Sequence, residues 1–235
     1  MARKSQRVAE RRDFEAFTRD YPIPPGEIEY SDKPDVLIHA DRIIGVELAN
    51  LHKVDGANPT SEKVQGLRRT EVIEIAERKH RALNGRNIEL WVDFNPEYPI
   101  VKVGDTAEAL LSVATRIANE HAGHQSFNAL EECPEIRFLF HNGKEYPDAK
   151  WRLAQSHDVP SLLFERVKEI VAIKSAKAQK YQNCDEYWLL LTVDFWDPSQ
   201  DQYIDWPHGV SIDTTPFSKV LLYKPAFRQV VEVQQ

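Results

Sequence analysis

Two acids in the first fifth of the chain have a spacing that could do chemistry. Asp35 follows Pro34 at the start of an apolar run, 35–38, and Glu47 lies near the end of the next run, 42–48. The turn-like stretch 39–41 between them predicts an antiparallel hairpin. In such a hairpin the start of one strand lies beside the end of its partner, so the two carboxylates are expected to meet at one edge of a sheet. Like charges that close raise each other's pKa, and a hard divalent cation such as Mg²⁺ resolves the conflict with oxygen ligands. A cation held there would polarise a phosphoryl oxygen and lower the pKa of a bound water, a route to phosphodiester hydrolysis. Each acid also has a plainer reading. Asp35 after a proline suits any turn or strand start, and Glu47 on an apolar strand needs a partner, if only a structural salt bridge.

The segment Pro34-Asp35, followed by Gly45-Val46-Glu47, resembles the PD-(D/E)XK nuclease superfamily. The later stretches Lys174, Lys177, Tyr181, then Trp188 to Leu191, then Phe217 to Leu222 resemble the second half of such proteins, so the likeness runs over most of the chain. It implies a restriction-endonuclease-like fold and a Mg²⁺ site, with Mn²⁺ as substitute, built from Asp35, Glu47 and the backbone carbonyl of Leu48. It also implies DNA as substrate. The chain departs from the family pattern at Ala49, where those enzymes carry a lysine two residues past the glutamate. Lys53, Lys63 or Gln65 is expected to take over that task. Lys174 and Lys177 are alternatives that would replace the lysine from a distance or, with Lys180, grip phosphate. An additional acid from the first helix would be Glu10 or Glu15. A binding or regulatory protein that keeps the scaffold without hydrolysis is the competing reading, and a subunit completed by another chain or a second copy is a third. As surface residues, all these lysines would simply be solvated.

The elements that must position these groups follow from periodicity and punctuation. A helix is expected over 1–21, stopped by the prolines at 22, 24 and 25. Thr60 or Ser61 is expected to cap a helix reaching about Leu83 and ended by Asn84-Gly85. Strands are expected at 88–94, 136–140, 187–195 and 219–223, with helices at 107–120 and 161–181. The apolar centre of 187–195 suits a strand buried on both faces. The stretch 197–235 reads as a loop-rich extension with a late strand. The whole predicts one α/β domain over 1–235, a three-layer α/β/α sandwich on a mixed β-sheet.

Composition narrows the function classes. At 235 residues, with 42% hydrophobic and 29% charged side chains, the chain is of ordinary globular make-up. No apolar run approaches the roughly 20 residues of a membrane span. The basic N-terminal stretch lacks the apolar core of a secretory signal, and Cys133 and Cys184 are too few for a disulfide framework, so a cytoplasmic protein with reduced thiols is expected. A net charge of −7 argues against a protein that coats nucleic acid, but basic residues are clustered at Arg3, Lys4, Arg7, Arg11 and Arg12, leaving room for a local groove. His121 and His124 have ligand-like spacing without a matching partner set. No GxGxxG, Walker or GxSxG pattern occurs.

Overall fold

The structure is a computed structural model that describes residues 2–54, 56, 58–119, 123–124, 133–142, 144–145, 147–154 and 156–235. Its contacts divide the chain into two compact units, Met1–Lys53 with Val159–Gln235, and Val54–Asp158. The single domain expected over 1–235 thus takes the form of two units with a sheet each. The second unit is the segment of chain between the two parts of the first.

The first unit holds helix α1 (Ala2–Asp20), strands β1 (Glu27–Tyr30), β2 (Val36–His39) and β3 (Ile43–Asn50). After the second unit, α4 (Phe164–Ala178), β8 (Glu186–Thr192), β9 (Lys219–Lys224) and β10 (Gln229–Glu232) complete it. Its six strands run in the order β1-β2-β3-β8-β9-β10. β3, β8 and β9 are mutually parallel and the outer pairings are antiparallel, so this sheet is mixed.

Alternation along the strands gives each face its own helix. Val36, Ile38, Val46, Leu48, Leu190 and Leu221 pack with Phe14 and Phe17 of α1. Leu189, Leu191, Val220 and Leu222, one residue out of phase, pack with Val167, Ile170 and Val171 of α4. The first unit is therefore helix, sheet, helix in section, and β8 is buried on both faces as its apolar run predicts. Gly45 is required in β3 because a Cβ there would come within 2.7 Å of the Pro34 ring.

The second unit carries α2 (Glu62–Ala82), β4 (Glu89–Phe94), α3 (Val103–Ile117), β5 (Gly123–His124), β6 (Ile136–Asn142) and β7 (Trp151–Leu153). Its sheet runs β5-β6-β4-β7. Ser61 caps α2 as expected, its hydroxyl accepting from the Val64 N–H, and Asn84 at φ 57° ends it in the left-handed conformation. Among the described residues no helix is long and apolar enough to cross a membrane.

Candidate metal and phosphate site

The hairpin brings the two acids together. Val36 pairs with Val46 across the antiparallel β2–β3 ladder, so Asp35, one residue earlier, stands opposite Glu47. Asp35 Oδ2 accepts a hydrogen bond of 2.8 Å from the Leu48 N–H, which fixes the carboxylate over the end of β3. The segment before it is anchored by the chain that follows α4, where the Gln182 N–H donates to the Lys33 carbonyl at 2.8 Å.

Glu47 lies on the sheet face covered by α4. From that helix Lys174 Nζ donates to Glu47 Oε1 at 2.7 Å and to the Leu48 carbonyl at 3.1 Å. Both side chains are largely buried, at 17% and 11% exposure for Lys174 and Glu47. Seven residues on, two helical turns by spacing, the Tyr181 hydroxyl is buried without a hydrogen bond of good geometry. Burial and the nearby charges of Glu47 and Asp35 push its pKa far above the usual tyrosine range.

Asp35 is pushed up to about 7, first by burial and then by the charge of Glu47. The Leu48 N–H and the Lys174 ammonium act in the opposite direction, and Glu10 of α1 adds to the rise. One ammonium beside two carboxylates leaves a carboxylate that ionises only near neutrality.

The oxygens of Asp35, Glu47 and the Leu48 carbonyl form a hard donor set suited to Mg²⁺. A cationic group, the ammonium of Lys174, already lies against two of the three, which is the observation that fits this place to a cation. Among the described residues no three His, Cys, Asp or Glu side chains gather as a metal cluster.

The other expected residues have these surroundings. Lys53 is half-buried beyond β3, its N–H donating to the Ser199 carbonyl at 2.8 Å. Lys63 and Gln65 belong to the second unit. The stem of Lys63 lies over Gly56. Gln65 is buried and committed to the backbone: its Nε2 donates to the Pro59 and Ile100 carbonyls, and its Oε1 accepts from the Ile100 N–H. Lys177 and Lys180 are exposed. Of the two acids expected from the first helix, Glu10 lines the cavity that reaches Asp35, whereas Glu15 accepts from Arg11. His121 and the side chain of His124 lie outside the described residues.

In the sequence Lys174 reads as a phosphate grip or a distant substitute, and Tyr181 only as part of a motif. Their seven-residue spacing within the expected helix 161–181 is the signal that joins them, although α4 itself ends at Ala178.

No protein-family model matches this chain, and no curated protein or solved structure is significantly similar to it.

Proposed function

We propose that the first unit is a Mg²⁺-dependent nuclease-like domain that hydrolyses phosphodiester bonds in DNA, a member of the PD-(D/E)XK superfamily in which the lysine comes from a helix. One observation carries the reading. Asp35, Glu47, the Leu48 carbonyl and an ammonium converge at one strand end, although the strand position two past Glu47 is alanine.

Asp35, Glu47 and the Leu48 carbonyl would hold the cation, which when bound supplies Lewis acidity toward a phosphoryl oxygen and an acidified water. The rest falls to the chain's own groups. Asp35 is held through one oxygen by the Leu48 N–H. Glu47 is paired with the Lys174 ammonium, which is long enough to turn from the strand toward a phosphate or an attacking water. The Tyr181 O–H, which lies near the charges of Glu47 and Asp35, would steady Glu47 once the ammonium moves off it.

Cleavage of linear and supercoiled DNA with Mg²⁺ or Mn²⁺ tests this, run beside Asp35→Ala and Glu47→Ala. Loss of cleavage in both variants is expected; equal cleavage by all three removes the assignment.

The same lysine supports a second reading. An ammonium seated on Glu47 and Leu48 also describes a scaffold neutralised for good, a nucleic-acid-binding or regulatory protein without hydrolysis. That reading predicts salt-sensitive DNA binding with no Glu47-dependent Mn²⁺ signal in calorimetry.

A further inference from the structure

A cavity of about 260 Å³ opens between α1 and the β1–β2 edge and runs to Asp35. The residues that matter along it are Arg7, Glu10, Arg11, Tyr30 and Asp35. The geometry points to this groove as the seat of the sugar-phosphate backbone of a nucleic-acid strand, held by Arg7 and Arg11 and delivered to Asp35. The identity of the ligand rests on the nuclease reading of Asp35 and Glu47; the groove itself does not.

Arg7 and Arg11 are one helical turn apart on the same face of α1, so the helix presents two guanidiniums in a row. Each is paired with an exposed carboxylate. Arg7 meets Asp32 at 2.9 Å, with side chains 56% and 47% exposed, and Arg11 meets Glu15 at 2.8 Å, with 62% and 49%. Exposed pairs of this kind contribute little, so a phosphate can take the carboxylate's place at small cost and return a charge-assisted, bidentate contact.

Arg11 is also held in position. Its guanidinium carbon lies 4.6 Å from the centroid of the Tyr30 ring, and that ring meets Phe14 edge-on at 6.3 Å. Phe14 is fully buried. A guanidinium stacked on a ring anchored in the core loses less freedom on binding than a loose one.

The groove has a direction. Its cations come from α1, while Glu10 and Asp35 are acids that repel a phosphate unless a cation lies between. β1 is an edge strand with all four residues exposed, so the side of the groove is open to a long ligand. An overall charge of −7 makes this a local attraction.

The test is fluorescence anisotropy of labelled single-stranded DNA, duplex DNA and single-stranded RNA with the full chain in EDTA, across a salt series. Wild type is compared with Arg7→Ala/Arg11→Ala and with Arg7→Gln/Arg11→Gln, with melting curves to verify folding. Either double variant is expected to bind roughly tenfold more weakly, with the salt slope on single strands shallower by about 1.4, two contacts at about 0.7 each. Tyr30→Phe should bind as wild type and Tyr30→Ala more weakly.

Unchanged affinity and slope in folded double variants would overturn the groove. Asp35-dependent cleavage by those variants would then still uphold the nuclease reading. Wild type that binds none of the three nucleic acids also overturns it. Arginine-dependent binding with no metal-dependent cleavage upholds the groove and removes hydrolysis.

Discussion

Lys174 reaches Glu47 from the helical layer above the sheet, at 2.7 Å, and bonds the Leu48 carbonyl with the same nitrogen. Position 49 is thereby left to alanine, which packs into the apolar layer beneath α4. Charge and packing are divided between two elements.

A divalent cation and Lys174 then compete for two of the same oxygens. Lys174→Met should raise Mn²⁺ affinity, on the order of tenfold, because the ion no longer displaces an ammonium and meets one positive charge fewer. The same variant should lose DNA cleavage. Calorimetric titration beside a cleavage assay checks both; weaker Mn²⁺ binding would make Lys174 a support for the metal.

Asp35 sets a pH dependence. Its folded pKa of about 7 is above the 3.8 of the free side chain, so between those values the folded state holds the extra proton. Stability in the metal-free protein therefore falls as pH rises through that window, and the penalty is complete above about 7. Asp35→Asn keeps an acceptor for the Leu48 N–H and should stabilise the protein by on the order of 1–3 kcal/mol at pH 8. It should do little at pH 4. Metal affinity in wild type should drop below pH 7, where the ion must displace a proton. Denaturant melts at the two pH values decide it; equal effects at both would contradict the assignment.

The orphaned Tyr181 hydroxyl gives a third expectation. Tyr181→Phe should leave the metal-free protein as stable or more stable by up to about 1 kcal/mol, since a buried unpaired polar group costs free energy. Its Mn²⁺ affinity should weaken if the O–H steadies Glu47. A clear loss of stability with unchanged metal binding would mark it as purely structural.

Much of this was legible beforehand. The Pro34-Asp35 and Glu47 hairpin follows from two short apolar runs and a turn, because antiparallel register is set locally. The capped helix from Ser61 and the two-faced strand β8 are likewise local signals. The division into two units was not legible, because the segment 54–158 begins and ends without a composition change. Strands β1, β7 and β10 escaped too, being short and sitting in polar stretches. Lys174 was undecided because its partner is 127 residues away, and a lysine on a half-exposed helix face reads the same whether it meets water or a carboxylate. Gln65 is the opposite case: an amide at a helix start reads as available, while the Pro59 and Ile100 backbone occupies it in the structure.

The loop-rich stretch after β8 is pinned by another ion pair. Lys224 Nζ donates to Asp201 Oδ1 at 2.6 Å and to the Gln202 carbonyl at 2.9 Å, with both side chains buried. Lys224→Met strands a buried carboxylate and should cost about 3–5 kcal/mol. Adding Asp201→Asn should recover part of it, as read from denaturant midpoints. Additive losses would show that the two do not interact.

The central claim is tested most directly by anomalous scattering from crystals of the full chain soaked in Mn²⁺. A single peak bounded by the carboxylates of Asp35 and Glu47 and by the Leu48 carbonyl, with Lys174 Nζ moved off Glu47, is the predicted result. No peak there at saturating Mn²⁺, with Lys174 still bonded to Glu47, would contradict it.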